Sequence, residues 1–241
     1  MKSQKESSTT AANPACEMVL LPIGSFEQHG DHLPFGTDNY EVAAIAAEVA
    51  RQTGAFLLPV QPISVCYEHH GRRGSIHYSA SVFFRFLVAA GEALYSQGFT
   101  RLVYMCGHGG VFVLEPAVDH LNAHIPELSA IYVPAFGNLW DDDTRLTDRR
   151  GIHAGEMETS LMLYLHPELV DKDKAVDFLP DKPQHYLNYG SIFHLTPNGV
   201  WGNATGSSPD TGRWIFERSV HDCIERIRRS FLSSPFVDET D

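Results

Sequence analysis

The sequence predicts an α/β fold: a mostly parallel sheet flanked by helices on both faces. Three observations point there. Short apolar runs alternate with longer stretches whose apolar residues recur at helical spacing. The 241 residues are 43% hydrophobic and only 20% charged, a composition that builds a packed core and excludes disordered, collagen-like and coiled-coil chains. Clusters of histidine and carboxylate residues follow several of the strand candidates, and open parallel sheets bind ligands outside the carboxyl ends of their strands.

Taken in order, residues 1–16 are polar, lack the apolar core of a signal peptide and read as a disordered tail. Met18–Ile23 is a buried strand that runs into a loop at Gly24. Thr37-Asp38 cap a helix whose apolar stripe is Val42, Ile45, Ala46 and Val49 and which ends near Gly54. Residues 55–60 are a second strand, and residues 61–77, holding Glu68, His69 and His70, are loop. Val82, Phe83, Phe86, Leu87, Ala90 and Leu94 mark a helix stopped by Gly98. A third strand over 101–105 leads into Cys106-Gly107-His108-Gly109-Gly110, then a helix over 111–124 with Pro116 in its first turns. Residues 128–134 form a fourth strand, 155–165 a helix, 171–208 an ordered loop and 209–231 a last helix. No linker-like shift in composition divides residues 17–241, which read as one domain.

Charge and cysteine usage exclude several function classes. Eighteen basic against thirty acidic residues leave −12, which opposes binding to nucleic acid or an anionic membrane. No apolar run approaches the ~20 residues of a membrane span. The four cysteines lie far apart with no CxxC, so they read as free buried thiols of a cytoplasmic protein rather than a thiolate zinc site.

Thirteen histidines are the unusual count. Glu27 and His29 are two apart, so in an extended segment both point the same way, and Asp38 at the mouth of the next helix can reach the same spot. His, Asp and Glu without Cys suit Zn²⁺, Mn²⁺ or Fe²⁺, and a bridging carboxylate can hold two such ions. Asp38 as a plain helix cap is the competing reading. Flanking glycines give His108 access to a close-lying ion. Of the two carboxylates at the start of the helix over 155–165, Glu156 can serve the helix dipole, while Glu158 is a ligand or general base with His153 as proton shuttle. His32, His69, His70 and His77 stay open between site and structural roles.

These residues carry a family resemblance. Leu21-Pro22-Ile23-Gly24-Ser25-Phe26-Glu27-Gln28-His29-Gly30, with His32-Leu33-Pro34 and Thr37-Asp38, resembles the signature of the creatininase (creatinine amidohydrolase) family. Gly107-His108-Gly109-Gly110, His153-Ala154-Gly155-Glu156-Met157-Glu158-Thr159-Ser160 and Gly199-Val200-Trp201-Gly202 are similar to its later motifs, in order. The resemblance implies a creatininase-like α/β fold, a binuclear site of divalent metal ions, and hydrolysis of a C–N amide bond in a cyclic amide, formamide or peptide-like small substrate. Carried over, Glu27, Asp38 and His108 would hold one ion. His29, with Asp38 bridging and a further carboxylate, would hold the other. His153 would be the acid-base residue. Homo-oligomers, often hexamers, are implied as well. The chain departs from creatininase in two places. Gly109-Gly110 stand where creatininase has a Tyr-Glu pair whose Glu is a ligand, so Glu158, or next Glu156, must supply that carboxylate. Arg149 and Arg150 replace a Trp and would suit an anionic substrate, or simply pair with the aspartates at 141–143. The rival functions are ring-opening hydrolysis of a cyclic ketone on the same site and nonenzymatic metal binding.

Overall fold

A computed structural model of the protein describes residues 16–139 and 144–232. Its sheet has four parallel strands in the order β2–β1–β3–β4, with β1 Met18–Ile23, β2 Phe56–Leu57, β3 Arg101–Cys106 and β4 Ser129–Pro134. The two inner strands are buried on both faces from their second residue onward, which is why they read as unbroken apolar runs. Edge strand β4 is only half-buried. The second strand is shorter than expected: only Phe56 and Leu57 pair in register with β1, and although the Leu58 N–H still reaches the Leu20 carbonyl at 3.0 Å, Pro22 on β1 has no N–H to return the next bond.

Helices cover both faces. α1 (Thr37–Thr53), α4 (Glu156–Leu165) and α5 (Pro209–Leu232) pack one side around Val42, Ile45, Val103, Met105, Leu161 and Ile224. On the other side α2 (Ala80–Tyr95) and α3 (Leu114–His124) pack around Phe83, Leu87, Leu102, Tyr104 and Leu121. α1 ends on Gly54, whose φ of 73° and N–H to the Ala50 carbonyl at 2.9 Å close its last turn. The start of α1 departs from expectation. Gly36 holds the N-cap position, no side chain caps the helix, and Asp38 lies inside the first turn with its carboxylate unspent on the backbone. α3 begins at Leu114 rather than 111, and residues 111–113 form turns. The stretch 171–208 is loop as expected, tied down by short 3₁₀ turns and a two-stranded ribbon of β5 (Asp177–Phe178) and β6 (Gly202–Asn203).

Cys16, expected in the tail, is buried, and its thiol donates to the Gly54 carbonyl at 3.4 Å. The rest of that tail and the aspartates at 141–143 lie outside the described residues. Among the described residues no helix is long and apolar enough to cross a membrane.

Candidate metal centre

The strand order reverses between β1 and β3: the chain leaves β1 for β2 on one side and returns for β3 on the other. A crevice opens at such a switch point, above the carboxyl ends of the two strands. The loop after β1 carries Glu27 and His29 into it, and the first turn of α1 adds Asp38. The turn after β3 adds His108, and the segment entering α4 adds His153 and Glu158. These six side chains are brought together and buried. The 3₁₀ turn Tyr67–His69 delivers two more: His69, which the sequence leaves open between a site and a structural role, and Glu68, which it places only in a loop. The signal for them was positional, since this loop too leaves the carboxyl end of a strand.

Glu27 Oε1 sits among three imidazoles, 3.1 Å from His108 Nδ1, 3.2 Å from His69 Nε2 and 3.8 Å from His153 Nδ1. His29 Nε2 lies 3.2 Å from Asp38 Oδ1 and 3.8 Å from Glu158 Oε1, and Asp38 Oδ2 is 3.4 Å from His108 Nδ1. Few of these contacts are aligned hydrogen bonds. Glu27 Oε1, His29 Nε2, Asp38 Oδ2 and His108 Nε2 are all buried without a hydrogen-bond partner. Buried polar atoms are normally satisfied. A concentration of orphans from histidine and carboxylate residues is a donor set suited to borderline divalent cations. Ligand atoms of Glu27, His29 and Asp38 lie within 4.8 Å of one another, as do those of His29, His153 and Glu158.

Several of the inward-facing side chains are held in place by a hydrogen bond to their other polar atom. Ser25 Oγ donates to Glu27 Oε2 at 2.8 Å, leaving Oε1 free. The Ala154 N–H donates to Glu158 Oε2, leaving Oε1 facing His29. Ala154 has φ 52°, a left-handed backbone uncommon for a residue with a side chain. His29 Nδ1 is 3.2 Å from the Glu27 carbonyl oxygen. A carbonyl only accepts, so Nδ1 donates to it and Nε2 is the nitrogen left facing the cluster. The same logic at His153, whose Nε2 is 2.7 Å from the Gln28 carbonyl, leaves Nδ1 facing the cluster. Gln28 accepts the Gly30 N–H through Oε1 at 2.9 Å, so its amide nitrogen donates to His69 Nδ1 at 3.0 Å. His69 therefore turns its remaining N–H toward Glu27.

The charges sort in the same way. Burial opposes protonation of His29, but Asp38 and Glu158 outweigh it and hold the imidazole well above its ordinary pKa. Burial likewise opposes charge on His108, yet Glu27 and Asp38 raise it well above. Asp38 is pulled below the usual carboxylate range, against its burial, by His29 and His108. Burial and the charge on His153 push His69 well below its ordinary value, and burial together with His29 lowers His153. Glu41, one turn after Asp38, is buried with both carboxylate oxygens unpartnered. Burial, then Glu158 and Asp38, raise it well above its ordinary carboxylate value. The cluster is short of positive charge.

Other expectations resolve differently. Glu156 Oε2 accepts from Thr147 N, Thr147 Oγ1 and Asp148 N, each at 2.8 Å, so it pins the preceding loop and faces away from the cluster. Arg149 and Arg150 do not line the site cavity. Asp148 accepts the Arg150 and Gly151 N–H groups at 2.9 Å, and both arginines are exposed beside a separate depression with Lys182 and Trp201. His32 is buried against Thr159 Oγ1 at 3.0 Å, a structural contact, and His70 is exposed. A cavity of about 630 Å³ opens over His108, His153 and Glu158, walled by Tyr67, Phe112, Ile152 and Leu187.

The profile of the creatininase family, described as creatinine amidohydrolase, matches residues 4–227. The chain belongs to the creatininase family. This creatininase-family hydrolase is 32% identical over 229 residues to a mycofactocin precursor peptide peptidase from Mycobacterium ulcerans, spanning 88% of this chain and 84% of the relative. It is 29% identical over 247 residues to a 3-dehydro-scyllo-inosose hydrolase from Thermotoga maritima, spanning 90% and 78%. A crystal structure of creatinine amidohydrolase superimposes with a TM-score of 0.84 at 22% identity, covering 95% of this chain and 98% of that one, and shows the shared fold. Solved creatininases with manganese and in a Zn–Zn form match as well.

Proposed function

We propose that this chain hydrolyses a C–N amide bond of a small substrate, a cyclic amide, a formamide or a peptide-like molecule. Glu27, Asp38 and His108 would hold one divalent ion, and His29, Asp38 and Glu158 a second. The observation that carries the reading is the trio of buried, unpartnered atoms Glu27 Oε1, His29 Nε2 and Asp38 Oδ2, on residues whose ligand atoms lie within 4.8 Å of one another. The His/Asp/Glu donors fit Zn²⁺, Mn²⁺ or Fe²⁺. When bound, such a pair lowers the pKa of water toward neutrality and polarises a carbonyl oxygen. His153 supplies the proton transfer. Its Nε2–H stays on the Gln28 carbonyl while Nδ1 takes a proton from the attacking water and returns it to the leaving nitrogen as the C–N bond breaks. Glu158 keeps Oε1 directed at the cluster because Ala154 N–H holds its other oxygen. A homo-oligomer is part of the same reading and rests on the family resemblance alone.

The test is metal analysis beside turnover on an amide panel, scored by ammonia or amine release. Glu27→Gln and His108→Ala should lose bound metal. His153→Ala should keep metal and lose about 10²–10⁴-fold in turnover. Full activity in metal-free protein would end the proposal. The likeness to the inosose hydrolase favours a second reading, ring opening of a cyclic ketone on the same residues. Product formation with no amine released would select it.

A further inference from the structure

Glu68 has no place in the ligand set above, yet it reaches into the centre. Its Oε1 lies 3.0 Å from His108 Nε2, while His108 Nδ1 faces Glu27 Oε1 at 3.1 Å and Asp38 Oδ2 at 3.4 Å. The imidazole thus has one nitrogen among the proposed ligands and the other against a carboxylate. Nε2 is buried and has no aligned hydrogen-bond partner, so the Glu68 contact is an ion-pair contact rather than a formed hydrogen bond. Space for it is made by Gly110. A methyl group built on Gly110 would overlap the Glu68 carboxylate and crowd His108 Nε2, so the absence of a side chain at 110 is what admits Glu68 to this position. Gly109, by contrast, faces open space.

We propose that Glu68 is a positioning residue: its carboxylate takes the Nε2–H of His108 and so fixes the ring with Nδ1 toward the metal position. This rests on the metal reading above. A carboxylate on the far N–H of a ligating imidazole sets its tautomer and orientation and raises its basicity, and losing it weakens metal affinity about 10–100-fold. Glu68 suits that task because it comes from a different loop than His108. The turn Tyr67–His69 is anchored separately, by the Tyr67 hydroxyl accepting the Ala80 N–H at 2.6 Å and by the Gln28–His69 contact.

The experiment measures Zn²⁺ affinity by competition with a chromophoric chelator, and ion stoichiometry by elemental analysis, for the full chain and for Glu68→Gln and Glu68→Asp. The isosteric Glu68→Gln should bind as many ions as wild type at saturating Zn²⁺, with affinity lowered about 10–100-fold. Its metal-free form should melt with metal-free wild type, separating positioning from a folding defect. Glu68→Asp, which keeps the charge, should recover part of the loss. Unchanged affinity in Glu68→Gln overturns the assignment. So does loss of one ion at saturation, which would make Glu68 a ligand. Wild-type protein that takes up no Zn²⁺ or Mn²⁺ would instead sink the metal reading itself, and this inference with it.

Discussion

Asp38 sits in the first turn of α1 and caps nothing, although its position there fits a capping residue as well as a ligand. Its surroundings support the proposed ligand role: His29 at 3.2 Å and His108 at 3.4 Å, in a place closed to solvent. Asp38→Asn keeps the shape and removes the charge, so elemental analysis should find both ions lost, since this carboxylate is shared between the two proposed positions. Retention of both ions would assign the bridge elsewhere. At the cysteines burial is the largest influence. Burial pushes the thiols of Cys66, Cys106 and Cys223 up to about 12, with little thiolate left at neutral pH. Native protein at pH 8 should react with Ellman's reagent far more slowly than unfolded protein. Rapid labelling of these three thiols in the native state would contradict their placement.

At the scale of elements, the entry to α4 separates two carboxylates two residues apart. Glu156 gathers three donors from residues 147 and 148, whereas Glu158 faces the cluster. Glu156→Ala leaves those donors unsatisfied and should destabilise the fold by about 1–3 kcal/mol, read in denaturant melts. Metal stoichiometry should be retained, in contrast to Glu158→Ala. The packing of α5 on α4 is equally specific. A side chain at Gly212 would run into the Ser160 backbone carbonyl and press on Tyr164 Cβ. Backbone cannot rotate out of the way as a side chain can. Gly212→Ala should therefore cost about 3 kcal/mol, the upper end of overpacking effects, and a melt matching wild type would refute the close approach.

For the whole molecule, one consequence of the site is mutual dependence of metal and stability. Glu27, Asp38 and Glu158 are buried within one cluster. Divalent ions held by the folded arrangement in preference to the unfolded chain would add about 2.7 kcal/mol of stability at a hundredfold excess over their Kd. Removing metal with a chelator should lower the melting temperature, and restoring Mn²⁺ or Zn²⁺ should return it. An unchanged melt would count against the site.

Strand and helix order, the covering of both sheet faces, and the glutamates, histidines and aspartate at the strand ends were legible in the linear chain. Periodicity and burial are local patterns, and motifs such as Gly24 to His29 keep their residues close together. Folding alone decided which loop tips meet. Glu68, His69 and Glu41 carry no spacing that marks them, and they enter the centre because the strand order places the loop after β2 and the first turn of α1 beside His108 and Glu158. Arg149 and Arg150 neighbour His153 in sequence but are exposed beside a separate depression, so closeness along the chain does not by itself bring a side chain into the cavity. Local propensity is written in consecutive residues. The sharing of a buried charge is set by contacts between residues far apart in the chain, and those exist only once the sheet is assembled.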